Sequence, residues 1–255
     1  MKKSALISTI GLAVAFLTSA ALADEIEAIY IRANELYQNE QYDAAVREYL
    51  KIRDLGYESW ELYYNIGNAY YKTGDVARAI LFYERARKLN PKNEDLEFNL
   101  QLANLSVVDR IPALPRLFFV TWFEALANAL SLEMWGGLTL SLYLLLMAGI
   151  LYRILARRGR SNRSVWVLSW GVAGLFLLAA AITSVRIYQE ENRVEGIVLA
   201  PKVDVRAAPD ESSTEMFTLH AGVKVQVQDE TGEWLRIRLA DGKVGWLKKD
   251  TLEEI

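Results

Sequence analysis

The chain has 255 residues with 29 Lys and Arg against 32 Asp and Glu, a net charge of −3 that offers no basic surface for nucleic acid. It contains no cysteine and a single histidine, His220, which excludes disulfides, thiolate nucleophiles and cysteine-ligated metals and leaves little for a histidine-based site. Hydrophobic residues make up 52% of the sequence, somewhat above the roughly 45–50% of soluble domains, and their concentration in a few segments indicates a membrane.

The first segment has the three-part layout of a secretory signal peptide. Lys2 and Lys3 precede an uncharged apolar stretch, and Ala21-Leu22-Ala23 offers the small residues that a signal peptidase accommodates. We predict a signal peptide over residues 1–23, cleaved after Ala23. The alternative is an uncleaved N-terminal anchor. In both cases the two lysines stay in the cytoplasm and the residues that follow are exported.

Two copies of a 34-residue repeat follow, over residues 26–59 and 60–93. A shift by 34 residues aligns Ala33 with Gly67, Ala45 with Ala79, and Tyr49 with Tyr83. This period, with small residues where paired helices cross, is typical of tetratricopeptide repeats. A further helix in register, over residues 93–108, is expected to cap the second repeat. The predicted array therefore spans residues 24–110.

The first helices of the two repeats are expected to line a concave, protein-binding face. The residues predicted there are Tyr30, Asn34, Tyr37, Tyr64, Asn68, Tyr71 and Lys72. Tyrosine rings supply contact area, and asparagine amides supply hydrogen bonds to a peptide backbone. The alternative is that these side chains only pack and solvate a small array. The Lys and Arg set with which some such repeats hold a C-terminal carboxylate is missing, so that specificity is not predicted.

Residues 111–132 are interpreted as an amphipathic helix that lies in a membrane interface. Phe119, Trp122 and Phe123 fall on one helical stripe, whereas Thr121 and Glu124 fall on the other. An aromatic-rich helix with one polar face suits the boundary between lipid and water. The alternative is a helix packed on the end of the repeat array.

Two uncharged segments predict a transmembrane hairpin with helices at residues 133–155 and 164–187. Each segment is long enough for an apolar layer about 30 Å thick. The loop between them, residues 156–163, contains no acidic residue. The arginines expected to set the topology are Arg153, Arg157, Arg158, Arg160 and Arg163. Because positive residues stay inside, this loop is predicted to be cytoplasmic and both flanking regions periplasmic.

From residue 195 the pattern changes to the alternation of short β-strands. Val223, Val225 and Val227 share one face of such a strand. Five short strands within residues 195–255 predict a small closed β-barrel, since an open sheet of that size would leave bare edges. "VDVRAAPDESS", "LHAGVKVQV" and "WLRIRLADGKVGWL" resemble the bacterial SH3 (SH3b) pattern, although Asp204 replaces the usual Asn.

The resemblance to SH3b modules implies binding of peptides or cell-wall stems without catalysis. The candidate binding surface of the barrel consists of Arg206, Trp234 and Trp246. The alternative is that both tryptophans belong to the core or close the barrel. Which of the two holds is left open by the sequence.

The order of these segments is similar to that of a BatE-type member of the Bat (aerotolerance operon) family of bacterial envelope proteins. Its most specific stretch is "YYNIGNAYYKTGDVARAILFYERARKLNPKNEDLEFNLQLAN". The resemblance implies a non-enzymatic membrane component that works beside von Willebrand-type (VWA) membrane proteins and an associated ATPase. It also implies a role in envelope or oxidative stress tolerance.

The sequence thus predicts a multidomain α + β chain with a tetratricopeptide array, a transmembrane hairpin and an SH3-like β-barrel. No phosphate-binding glycine loop, nucleophile elbow or metal-ligand cluster is found, so we expect neither catalysis nor a cofactor. The two apolar segments lack the ionisable residues that transport usually requires, which makes the hairpin an anchor. The expected function is a scaffold for protein partners on the periplasmic side of the bacterial cytoplasmic membrane. The alternative is a peptidoglycan-binding wall anchor or sensor in which the repeats are a spacer.

Overall fold

A computed structural model describes residues 22–112, 114–115, 117–155, 163–192 and 194–255. Residues 1–21 of the predicted signal peptide therefore lie outside the described residues. The same is true of Arg157, Arg158 and Arg160 in the predicted cytoplasmic loop.

The chain divides into two compact units. The first consists of Met1–Pro112 together with Glu195–Ile255, and the second of Ala113–Val194. The described residues of the two units form a helical array, two long apolar helices and an antiparallel sheet. The predicted fold class is confirmed.

Five helices form the repeat array of the first unit. They are α1 (residues 22–38 of the described chain), α2 (Tyr42–Asp54), α3 (Trp60–Thr73), α4 (Val76–Leu89) and α5 (Glu94–Leu105). Ser59, Asp75 and Asn93 begin three of these helices, because each side chain accepts a hydrogen bond from the backbone N–H three residues on. Gly74 ends α3 at a φ of 87°, a conformation that favours glycine.

The core of the array depends on small residues where helices cross. Ala45 and Ala79 are fully buried. A Cβ atom on Gly67 would lie 2.6 Å from the ring of Tyr83, which is itself only 1% exposed and has no room to move. The close approach of α3 and α4 therefore requires glycine at this position. Leu96 of α5 is buried in the same core.

The C-terminal part of the first unit is a seven-stranded antiparallel sheet. Its strands are β1 (Val194–Val198), β2 (Lys202–Arg206), β3 (Glu215–His220), β4 (Lys224–Thr231), β5 (Trp234–Arg238), β6 (Val244–Lys248) and β7 (Leu252–Glu254). The strand order is β3-β2-β6-β5-β4-β1-β7. Alternate residues such as Leu235 and Ile237 of β5 point into one buried core.

The expectation of five strands is wrong, since β1 and β7 are present in addition and pair with each other. The three residues of β7 are too few to show alternation. In β1 alternation is absent because Ile197 and Val198 are both fully buried. Ile197 belongs to the core of the repeat array, whereas Val198 belongs to the core of the sheet.

The sheet packs directly on the repeat array. Leu199 and Ile255 join Ile197 against the array core. On the array side, Val107 packs against the core of the sheet. A Cβ atom on Gly222 would lie 2.8 Å from Val107, so the turn before β4 also fits closely against the array. The two modules share one continuous apolar interface.

Polar contacts surround this interface. They are Arg85 with Glu253 (3.0 Å) and with the carbonyl oxygen of Glu254 (2.6 Å), Lys88 with the carbonyl oxygen of Ile255 (2.7 Å), Lys224 with Glu84 (3.1 Å), and the backbone N–H of His220 with Asp109 (2.6 Å). Three of the four array residues lie on α4, the second helix of the second repeat. The first helices of the repeats take no part in these contacts.

The second unit contains α6 (Phe118–Asn128), α7 (Leu132–Leu155) and α8 (Arg163–Asn192). Both α7 and α8 are long and apolar enough to cross a membrane. Buried Trp135 donates its indole N–H to the carbonyl oxygen of Ala127 (3.0 Å), which ties α7 to α6. The hydroxyl groups of Thr139 and Thr183 are hydrogen-bonded to each other at 3.1 Å, which ties α7 to α8.

Replacement of Glu84 with Ala is expected to destabilise the first unit. Glu84 is 5% exposed and holds Lys224, and the variant leaves that ammonium group without one of its carboxylate partners, at a cost of about 1–3 kcal/mol. The matched control is Glu230→Ala, which breaks an exposed pair with Lys249 and is expected to cost about 0–1 kcal/mol. Thermal unfolding of the full chain in detergent measures both. Equal thermal midpoints for the two variants would show that the contact between Glu84 and Lys224 does not stabilise the first unit.

Candidate protein-binding groove

A ladder of tyrosine and asparagine side chains runs along the first helices of the repeats. The hydroxyl of Tyr49 donates to the amide oxygen of Asn34 at 2.5 Å. The hydroxyl of Tyr83 donates to the amide oxygen of Asn68 at 2.8 Å. The two bonds are related by the 34-residue period, and each joins the two helices of one repeat.

A second set of bonds with the same period joins each repeat to the next. The amide of Asn65 donates to the hydroxyl of Tyr30 at 2.7 Å, which connects α3 to α1. The amide of Asn99 donates to the hydroxyl of Tyr64 at 2.8 Å and to Asn68 at 3.0 Å, which connects α5 to α3. The ladder therefore fixes the spacing of the three helices that line the concave face.

A cavity of ≈340 Å³ opens on this face. It is lined by Tyr37, Tyr64, Asn68, Tyr71, Lys72, Tyr83, Asn99 and Leu102. Five of the seven residues predicted from the sequence thus lie around one space. We call this cavity the groove.

The other two predicted residues lie elsewhere. Tyr30 lines a separate cavity of ≈570 Å³ near the start of α1, together with Glu27 and Glu61. Asn34 lines neither cavity, and its amide oxygen is held by Tyr49. Asn34 therefore has a structural role in the ladder.

The predicted groove set omits three residues that line the cavity, Tyr83, Asn99 and Leu102. Tyr83 lies on α4, outside the first helices from which the groove was predicted. The signal for Asn99 was present, because Asn99 lies 34 residues after Asn65 and continues its register into α5. Leu102 had the same positional signal, because it lies 34 residues after the predicted groove residue Asn68, although its side chain is apolar where Asn68 is polar. Its apolar side chain supplies a hydrophobic contact next to the exposed ammonium group of Lys72.

The groove combines partly buried aromatic rings with one flexible cation. Tyr37, Tyr64 and Tyr71 are half-buried and pack against the array core. The amide oxygen of Asn68 is already occupied by its ladder bonds. Such a surface can hold the side chains of an extended segment by ring contact and can attract a carboxylate to Lys72.

The seven-stranded sheet is called the barrel from here on, and its candidate surface lies on the face away from the buried core. Trp246 of β6 is directly opposite Arg206 of β2 on one side and Arg236 of β5 on the other. Trp234 is opposite Lys248, whose ammonium nitrogen lies 5.9 Å from the centre of its ring. Both tryptophans are half-buried, while the intervening residues of their strands face the core.

Arg206 is held in place on this surface. Its guanidinium group donates to the carbonyl oxygen of Ser213 at 2.7 Å and pairs with Glu215 at 3.2 Å. A tryptophan ring between two arginines can stack on a flat or sugar-like group while the guanidinium groups contact an anion.

The ladder tyrosines are expected to make the array sensitive to alkali. Burial raises the pKa of the Tyr49 and Tyr83 hydroxyls. The stability that these hydroxyls contribute is complete below about pH 10, the pKa of tyrosine in the unfolded chain. It is lost as the pH rises from there through their raised pKa in the folded protein. The free energy of unfolding should therefore fall between about pH 9.5 and 11.5.

The double variant Tyr49→Phe, Tyr83→Phe tests this directly. It should be less stable at neutral pH, because two hydrogen bonds are lost, and should lose stability less steeply in alkali. Thermal midpoints of the full chain measured across this pH range decide it. Parallel pH curves for the variant and the unchanged protein would show that these hydroxyls do not ionise on unfolding.

Two segments of the chain match protein-family models. Residues 30–94 match the model described as tetratricopeptide repeat, and residues 201–253 match that of the bacterial SH3 domain. No curated protein gives a significant match. Domains of both kinds typically bind other molecules and are not themselves catalytic, tetratricopeptide repeats binding proteins and bacterial SH3 domains binding proteins or peptidoglycan. The chain is similar to these two families over the segments that carry the groove and the tryptophan surface.

Proposed function

We propose that this protein is a membrane-anchored scaffold on the periplasmic side of the bacterial cytoplasmic membrane. Its groove takes a segment of a protein partner, and its barrel takes a second partner. The observation that carries the proposal is the groove itself, where five predicted residues surround one cavity of ≈340 Å³. Because the barrel contacts mainly α4, it leaves the first helices of the repeats free for that partner.

The anchor is the α7–α8 hairpin. The outer side chains of these helices are large and apolar, as Leu144 at 58% and Leu168 at 68% exposed illustrate, and lipid would cover them. Exposed Phe118, Trp122 and Leu126 of α6 support its interpretation as a helix in the interface. The arginine-rich loop and the predicted signal peptide both support a periplasmic array and barrel.

The resemblance to the Bat family suggests the complex in which the scaffold works. Its partners would be VWA-type membrane proteins of the envelope, and the role of the complex would be stress tolerance. Tethering of two binding modules by one hairpin raises the effective concentration of each for a common target.

A second candidate function is a wall anchor or sensor in which the barrel binds peptidoglycan. The row formed by Arg206, Trp246 and Arg236 favours it, because the ring can stack on a sugar and the guanidinium groups can hold stem carboxylates. In that case the repeats act as a spacer.

Labelling of single cysteines tests the orientation, since the chain has none of its own. Glu230→Cys on the barrel should react with a membrane-impermeant maleimide in intact cells. Arg158→Cys in the predicted cytoplasmic loop should react only after the cytoplasmic membrane is permeabilised. The reverse pattern would overturn the proposed side of the membrane.

Cross-linking in cells tests the scaffold. The variant Tyr71→Ala, Lys72→Glu changes the groove at two side chains outside the ladder bonds. It should reduce recovery of cross-linked membrane proteins on the order of tenfold. Truncation of a central binding residue often costs about 2 kcal/mol of binding free energy, and about 1.4 kcal/mol already corresponds to a tenfold loss of affinity. The control Lys92→Glu makes the same charge change at an exposed position outside the groove and should have no effect.

The same experiment separates the two candidate functions. Recovery of wall fragments alone, unchanged by the groove variant and lost in Trp246→Ala, would move the function to the barrel. Recovery of a discrete set of membrane proteins that only the groove variant loses would establish the scaffold.

A further inference from the structure

The last helix of the array, α5, exposes three large apolar side chains on one face. Phe98 is 66% exposed, Leu102 40% and Leu105 71%. Their spacing of i, i+4 and i+7 places them in a single line along the helix. We call these three residues the α5 stripe.

The α5 stripe occupies positions that are polar in the preceding repeats. The correspondences under the 34-residue period are Phe98 with Tyr64, Leu102 with Asn68, and Leu105 with Tyr71. On α3, Tyr64 and Asn68 form the bonds that hold α5 in place. The equivalent positions of α5 have no hydroxyl or amide group. A further helix stacked in this register would therefore be held by apolar contact.

The final helix of a repeat array normally presents a polar outer face, because that face meets water. The outer face of α5 departs from this rule over about two turns. The barrel does not account for the difference, since all three residues remain exposed while the barrel packs against α4 and the segment after α5. The α5 stripe is therefore a surface built to be covered by a partner.

The charge around the stripe indicates the kind of partner. Exposed Glu94 and Asp95 flank the N-terminal end of the stripe, whereas Glu97 on the same turn already pairs with Arg87 at 3.8 Å. The last turn of α5 has no basic residue. A helix that covers the stripe is favoured if it carries Lys or Arg beside Glu94 and Asp95.

A second copy of this chain would not supply that charge. Two α5 helices packed in parallel would bring their acidic first turns together, and two packed antiparallel would set each acidic turn against a last turn that has no basic residue. The other end of the array begins with α1, whose first turns carry Glu25 and Glu27. Stacking of α1 on α5 would also set like charges against each other.

We infer that the α5 stripe binds a basic amphipathic helix of another protein, which extends the array by one helix. The partner helix places apolar residues at i, i+4 and i+7 on the stripe and its cations beside Glu94 and Asp95. Leu102 also lines the groove, whereas Phe98 and Leu105 do not, so the inference goes beyond the proposed groove function.

Two designed peptides test the inference. They share one leucine face, and their polar faces carry either lysines or glutamates. Fluorescence anisotropy measures their binding to the full chain in nanodiscs of zwitterionic lipid, with empty nanodiscs as the blank. The lysine peptide should bind about tenfold or more tightly than the glutamate peptide.

Variants assign the binding to the stripe. Phe98→Ser with Leu105→Ser should weaken the lysine peptide about tenfold or more. Glu94→Lys with Asp95→Lys should remove the preference for lysine. The control Leu55→Ser changes an apolar side chain that is 40% exposed at the end of α2 and should leave binding unchanged. The groove variant Tyr71→Ala, Lys72→Glu should also bind as the unchanged protein does, so failure of the groove is told apart from failure of the stripe.

Three outcomes would overturn the inference. One is equal binding of the lysine peptide by the unchanged protein and the stripe variant. Another is a dimer, seen by sedimentation, that only the stripe variant dissociates, which would make a second copy the occupant. The third is equal binding of the two peptides, which would show that charge does not select the partner.

Discussion

Strand β1 joins two hydrophobic cores, and the arrangement of the first unit depends on it. Ile197 is buried in the repeat array, and its neighbour Val198 is buried in the barrel, so adjacent residues of one strand serve opposite faces. Burial of one such aliphatic side chain contributes about 1.5–3 kcal/mol. The polar contacts of α4 with β4 and β7 surround this apolar centre. Because an array of two repeats is short of the usual three, the barrel supplies part of the surface that a third repeat would cover.

This docking decides which surfaces remain for partners. The groove faces away from the contacts of α4, the α5 stripe lies at the end of the array, and the Arg206–Trp246–Arg236 row lies on the outer face of the barrel. The three surfaces are chemically different: aromatic with one cation, apolar with flanking acids, and aromatic between cations. A scaffold with such surfaces can distinguish its partners by charge as well as by shape. Their fixed spacing reduces the conformational freedom that binding of two partners would otherwise cost.

The sequence predicts the elements of this fold better than their contacts. The 34-residue period, with Gly67 and Tyr83 in the register, is enough to predict the array, and uncharged length is enough to predict α7 and α8 as candidate spans. Alternation fails for β1, because Ile197 and Val198 are both buried. The docking of the barrel was not predictable, since Glu84 and Lys224 read as ordinary surface charges and are distant in sequence. Five groove residues followed from helical position, whereas Asn99 required extension of the period into α5.

The shared apolar interface is expected to hold the repeat array and the barrel in one fixed arrangement. Spin labels on Asp54→Cys of α2 and Glu230→Cys of the barrel test it without changing the interface, since both positions are exposed and the chain has no other cysteine. The distance between the two labels, measured by double electron–electron resonance in nanodiscs, should form a single narrow distribution. A broad distribution, typical of two domains joined by a flexible linker, would contradict the account.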